Sequence, residues 1–312
     1  MKWTTFGEIE EDFVAKGNRR DFLKTAGLAG VGLLGCPATS SAGEPGSTLS
    51  EDRYGVLVDT TVCIGCRQCE YACRVAHDLP SPPAGSYEDR SVFQQPRRPD
   101  DKALTVVNEY ANPSNAELPY TVKVQCMHCD HPACVSACIV GALTKQENGA
   151  VVWDTDKCIG CRYCMIACPF QIPAFEYDDA LKPDISKCDF CVDRTREDKL
   201  PACVEICPVE ALTYGNRYEL VKLAHRRIAE HPERYVDHVY GEHEVGGTSW
   251  LYLAERPFSE MEFPVLGSSP APGVSESIQH GIFKYFIPPV LLYALLGGFM
   301  WSTKNRDGKE AE

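Results

Sequence analysis

Residues 153–169 read WDTDKCIGCRYCMIACP, placing Cys158, Cys161, Cys164 and Cys168 in one run with Pro169 directly after. The spacing, C-x2-C-x2-C-x3-C-P, is that of a [4Fe–4S] site. The physical reason is reach. Three closely spaced thiolates wrap one cube corner by corner, and Gly160 lets the backbone come close to it. The fourth thiolate follows a longer gap, starts the next turn and points toward a second cube. This stretch therefore predicts a partner stretch elsewhere in the chain.

The partners are present. Residues 58–74 read VDTTVCIGCRQCEYACR and repeat the spacing with Cys63, Cys66, Cys69 and Cys73. Residues 132–144, PACVSACIVGALT, and 201–213, PACVEICPVEALT, form a second repeated pair. Cys126 and Cys129 precede Cys134 and Cys138; Cys188 and Cys191 precede Cys203 and Cys207. Four quartets thus use sixteen of the seventeen cysteines. Repetition of a metal-binding unit decides the fold before anything else. It predicts an α+β fold of duplicated bacterial 2[4Fe–4S] ferredoxin-like modules with irregular insertions. Quartets one and two lack the trailing proline, with Arg74 and Ile139 in its place, and lose no ligand by it.

Other metal and thiol chemistries fit less well. Disulfides are expected in an exported chain, but cysteines this dense would pair in many strained local ways. Structural zinc uses paired C-x2-C units, which suits quartet four alone. His128 and His131 lie among the ligands, yet no cysteine is missing that they would replace; they read as structural residues or as supports to the ligands. The reading is four [4Fe–4S] clusters. The net charge of −13 speaks against a nucleic-acid partner. No nucleotide loop, nucleophile elbow or zinc-protease helix is visible, so the chain reads as moving electrons and not as catalysing a reaction itself.

Toward the N-terminus, Asn18-Arg19-Arg20-Asp21-Phe22-Leu23-Lys24 precedes a short Gly/Ala/Leu stretch. It resembles a twin-arginine export signal, a targeting segment and not a span. Such export carries folded proteins, which suits clusters inserted in the cytoplasm. Cys36 follows Leu33-Leu34-Gly35 like a lipoprotein processing site; cleavage after Ala42, or none, is the competing reading. Cys36 is excluded from the ligands.

Further along, Tyr54–Asp59 and Thr121–Val124 read as strands, and Asn148-Gly149 as a hairpin turn between Leu143–Lys145 and Ala150–Asp154. Residues 77–120, with seven prolines and no clear period, read as an extended excursion. Residues 193–200 read as a charged loop. Asn216 and Glu219 resemble a capping box for a helix whose apolar face is Leu220, Leu223, Ala224 and Ile228. A strand is expected at Trp250–Leu253 within otherwise irregular sequence. Residues 282–301 carry one charge, Lys284, and are long enough to cross a bilayer as a single C-terminal transmembrane helix in contact with membrane lipid. Lys304 and Arg306 follow, which puts the tail in the cytoplasm and the cluster domain on the outer, periplasmic side of the inner membrane.

The expected organisation is a signal region at 1–42, a linker at 43–53, a cluster domain at 54–215 containing the 77–120 insertion, and a bracing helix at 216–232. An irregular extension at 233–281, the span at 282–301 and a tail at 302–312 complete it.

From Cys63 to Cys207, about half the chain, the quartets are similar to the four-cluster ferredoxin-like subunits of membrane-bound oxidoreductases. The export signal, the Gly246-Gly247-Thr248 region and the C-terminal anchor together look most like the HybA-type subunits of periplasmic nickel–iron hydrogenases. That resemblance, with the order of the repeats, implies nested sharing of fourth ligands. Cluster A then takes Cys63, Cys66, Cys69 and Cys207, and cluster B takes Cys188, Cys191, Cys203 and Cys73. Cluster C takes Cys126, Cys129, Cys134 and Cys168, and cluster D takes Cys158, Cys161, Cys164 and Cys138. Sequential pairing of quartets is the alternative. The implied partners are the hydrogenase small and large subunits and a multi-span quinone-reactive membrane subunit, with electrons relayed from the first to the last. A formate dehydrogenase or other molybdopterin-enzyme beta subunit is one other reading. A membrane-tethered zinc or disulfide scaffold is another, of a different class.

Overall fold

The computed structural model describes residues 53–113, 118–179, 184–278, 290 and 292–300. The signal region, Cys36, nearly all of the linker and the C-terminal tail lie outside them. Of the expected span only Val290 and residues 292–300 are described; these are helical and exposed. Among the described residues no helix is long and apolar enough to cross a membrane.

In chain order, strand β1 (Tyr54–Asp59) leads into helix α1 (Gln68–Ala76). Two short 3-10 turns, at Ala84–Glu88 and Arg90–Gln94, precede β2 (Thr105–Tyr110) and β3 (Tyr120–Gln125). Then come α2 (Ala133–Ser136), β4 (Leu143–Lys145), β5 (Val151–Trp153) and α3 (Tyr163–Ala167). The tiny strands β6 (Ala174–Phe175) and β7 (Ile185–Ser186) follow, then α4 (Val192–Arg196), α5 (Ala202–Glu205), β8 (Leu212–Asn216), α6 (Arg217–Glu230) and β9 (Trp250–Leu253).

The central sheet has the order β8-β1-β9. β8 runs antiparallel to β1, with Val58 opposite Leu212, and β9 runs parallel to it, with Val56 opposite Trp250. β1 is also covered on both faces, Val56 and Val58 packing in one apolar cluster and Leu57 in another, which is why its apolar residues run together without alternating. A strand from before the first quartet is therefore paired with one from after the fourth. Helix α1 likewise packs on α5, whereas α2 packs on α3 and β4 pairs with β5. The first and fourth quartets share one half of the domain, and the second and third share the other.

Two stretches depart from the sequence reading. The 77–120 excursion contains β2, in a hairpin with β3 that opposes Thr105 to Gln125 and Tyr110 to Tyr120. Thr105, Val106, Val107 and Asn108 are all buried, so no period-2 pattern marks the strand. The charged stretch 193–200 begins inside helix α4 and is not all loop. Helix α6 is capped by Asn216, whose Oδ1 accepts from the Tyr218 and Glu219 amides at 3.0 and 3.3 Å, and buries Leu220, Ala224 and Ile228 on the sheet.

The segment before β9 joins the two halves. The Asp130 amide donates to the Gly247 carbonyl at 2.9 Å and the Ser249 amide to that of Met127 at 3.1 Å. Gly247 has φ +101°, and a Cβ there would lie 2.6 Å from Asp130 Oδ2, so both conformation and space require glycine.

Candidate iron–sulfur centres

The first C-x2-C loop of each quartet turns through a left-handed residue at its third position. Gly65 and Gly160 both have φ +67°. In the other two loops the same position is held by His128, φ +48°, and Phe190, φ +68°. A side chain in that region costs roughly 1–2 kcal/mol, so these two are held there by their surroundings. The turn presents backbone N–H groups to sulfur: Gly160 donates to Cys158 Sγ at 3.5 Å and Phe190 to Cys188 Sγ at 3.4 Å. The Ala142 amide does the same for Cys138 Sγ at 3.2 Å.

The fold brings thiols of different quartets together, and Cys69 also faces Cys203 while Cys134 faces Cys164. Cys63 neighbours Cys66 and Cys207, and these with Cys69 line one cavity. Cys188 and Cys203 each neighbour Cys191 and Cys73. Cys129 and Cys134 each neighbour Cys126 and Cys168. Cys164 neighbours Cys158, Cys161 and Cys138. All sixteen are free of disulfides, and only Cys161 is exposed.

Burial, reinforced by neighbouring sulfurs, pushes six of these thiols well up: Cys134 to about 12, Cys164 and Cys203 to about 11, with Cys69, Cys129 and Cys188 well above the ordinary range. A metal centre reverses this by taking the thiolates and releasing their protons. The buried cations point the same way. Lys123, 3% exposed, donates to Gln125 Oε1 at 3.0 Å, and no ion pair to a carboxylate is formed by it among the described residues. Burial opposes its charge, yet the sulfurs of Cys203, Cys69 and Cys188 hold its pKa above the usual lysine range. Lys187, 5% exposed, donates among the described residues only to the Val151 and Cys188 carbonyls. Buried ammonium groups need anions, and thiolates bound to iron supply them. The all-sulfur donor sets and these cations fit [4Fe–4S] clusters.

His77 was not legible as part of a site, although it lies one helical turn after Cys73. Its Nδ1 bonds the Cys73 carbonyl at 2.8 Å, and its Nε2 pairs with Asp189 Oδ1 at 2.8 Å, which also accepts from the Cys191 amide. The His77, Asp189 and Cys191 donors lie within 4.8 Å of one another. Because Cys191 belongs to the group with Cys188, Cys203 and Cys73, this trio supports that centre and is not a separate one. Of the two histidines among the cysteines, His128 is fully buried and its Nδ1 accepts from the Val151 amide at 2.8 Å.

Residues 118–217 match the model of the 4Fe–4S dicluster domain. The hydrogenase-2 operon protein HybA of Escherichia coli O157:H7 is 33% identical over 89% of this chain and 93% of its own length. The chain belongs to the HybA-like family of ferredoxin-type 4Fe–4S subunits. A protein of Nitratidesulfovibrio vulgaris is 51% identical over 78% of the chain, which spans 65% of that relative's length. The chain is also similar to a formate dehydrogenase subunit: the iron–sulfur subunit of the nitrate-inducible enzyme of E. coli K12 is 33% identical over 73% of the chain and 77% of its own length. The HybA-like chain is thus an iron–sulfur electron-transfer subunit of the hydrogenase or formate dehydrogenase type.

Proposed function

We propose that the chain holds four [4Fe–4S] clusters in nested pairs and relays electrons from a hydrogenase to a quinone-reactive membrane subunit. The approach of Cys207 to Cys63, of Cys73 to Cys188 and Cys203, of Cys168 to Cys129 and Cys134, and of Cys138 to Cys164 supports this reading, since each comes from the quartet that shares the same half of the domain. Clusters A and B then lie in the outer-quartet half, C and D in the inner-quartet half. Iron–sulfur cubes without a substrate site move electrons singly, and four in one chain form a wire. Hydrogen oxidation belongs to the partner.

Three observations support the hydrogenase and membrane side of the proposal. The likeness to HybA runs through 93% of that protein, against 77% for the formate dehydrogenase subunit. The twin-arginine-like sequence suits export of a folded cluster protein. Leu292, Tyr293, Leu295, Leu296, Phe299 and Met300 are more than half exposed on helical backbone, an apolar surface suited to lipid or to a membrane partner. A formate dehydrogenase-type partner remains the second reading, since the identity is 33% in both cases.

The test is anaerobic purification from membranes with identification of the co-purifying subunits, iron and acid-labile sulfide analysis, and low-temperature EPR after reduction. About sixteen irons and as many sulfides per chain, spin-coupled signals and hydrogenase subunits are expected. A formate dehydrogenase catalytic subunit in their place transfers the wire to that enzyme; zinc or little iron overturns the electron-transfer reading.

A further inference from the structure

Lys123 stands on β3, and the cysteine pattern gives no reason for it. It lines the cavity of Cys63, Cys66, Cys69 and Cys207, and it also interacts with Cys203 and Cys188 of the neighbouring group. The residue is pinned at both ends. Nζ donates to Gln125 Oε1 at 3.0 Å and lies 4.5 Å from the centre of the Trp250 ring. Gln125 Nε2 donates to the Tyr252 hydroxyl at 2.6 Å, and that hydroxyl donates to the Lys123 carbonyl at 2.9 Å. This closed circuit ties the ammonium to β9 and leaves it little freedom to move toward water. Lys187 and Lys145 are also buried cations, but Lys187 is bound to backbone carbonyls between the halves, and Lys145 faces Asp130 and the Cys129 side.

We infer that Lys123 is a fixed countercharge shared by the two clusters of the outer-quartet half, favouring the reduced state of both. This rests on the four-cluster reading above. Each cube gains one electron from the partner oxidoreductase on reduction, no bond is broken, and its net charge becomes more negative by one. A cation held out of water beside both cubes stabilises that added charge, because little solvent is present to screen it. Acting on both, it raises the two potentials together and does not open a step between them. Lys123 is a positioning residue in this sense: it sets the energy of the electron and binds no iron.

The experiment is potentiometric EPR titration, with dithionite as reductant, of the anaerobically purified full chain and its Lys123→Met, Lys123→Gln and Lys123→Arg forms, with iron counted in each. In the Met and Gln forms, two of the four midpoint potentials should fall and two should stay. At fixed potential the ratio of reduced to oxidised cluster in the affected pair should drop about tenfold, ~59 mV for a one-electron couple. Lys123→Arg, which keeps the charge, should restore them. If both neutral forms lose two cubes' worth of iron while the Arg form retains it, the charge is what the sulfur anions need, and the assignment stands. Full iron with four unchanged potentials overturns it while leaving the four-cluster reading intact. Loss of iron in all three forms overturns it in favour of a packing role. An iron-free wild-type chain removes the cluster reading and this inference together.

Discussion

The rings of His128 and Phe190 meet with centroids 5.0 Å apart and planes at 58°. They occupy the same left-handed position of two C-x2-C loops, one in each half of the domain. The two halves therefore touch through loops that hold cysteines, with Trp250 completing the contact at 6.2 Å from Phe190. Phe190→Ala should destabilise the chain by about 3–5 kcal/mol, since it empties a fully packed position. The check is the thermal unfolding of the iron-loaded protein. Iron should be lost first from the groups of Cys188 and Cys126, which flank the contact, and last from that of Cys158.

Nested sharing of ligands makes a sharp prediction about pairs of substitutions. Cys63→Ser and Cys207→Ser should each remove about four irons, and the double variant should remove no more than either alone. Sequential pairing instead puts Cys63 and Cys207 on different cubes, and the double variant then loses about eight. Iron analysis with EPR spin counting decides between them.

Glu70 holds the excursion to the cluster domain. It is 1% exposed and accepts from Arg67 at 3.1 Å, from Arg97 at 2.5 Å and from the Val107 amide at 2.7 Å. Glu70→Gln leaves two arginines without their carboxylate and should cost about 3–5 kcal/mol. A lower urea midpoint, and faster proteolysis between residues 77 and 104, are the expected readouts. An unchanged midpoint would show that the excursion is anchored by other contacts.

Cys161, the exposed cysteine, is ringed in sequence by Ile159, Tyr163 and Ile166, which are 60%, 52% and 82% exposed. An apolar rim around a ligand near water is a surface suited to an electron-transfer partner. Ile166→Glu should leave the iron content unchanged and weaken co-purification of the adjoining subunit by about tenfold or more, the effect of a charge in an interface core. Equal recovery of the partner would move the docking surface elsewhere.

Asn216→Ala should lower stability by about 1 kcal/mol through loss of the helix cap. Arg217→Ala should cost more. Arg217 Nε donates to the Thr248 carbonyl at 2.6 Å and its Nη2 to those of Gly241 and Glu242 at 3.2 and 3.0 Å, tying α6 to the segment before β9. Denaturant midpoints of the two variants give the comparison.

The cysteine chemistry was determined by sequence alone, because cluster ligation depends on spacing along a short loop, and spacing is a local property. The same holds for β1, the turn at Asn148-Gly149 and the cap at Asn216, whose signals lie within a few residues of where they act. β2 was hidden because both of its faces are covered, which removes the alternation that marks a strand. His128 and Phe190 gave no sign of sharing the conformation of Gly65 and Gly160, since only packing across the two halves holds a side chain there. Lys123 and His77 look like ordinary polar residues in the chain. Tertiary structure alone decided that they stand beside cysteine sulfur from distant quartets, because electrostatic neighbours are set by distance through space and not by position in sequence.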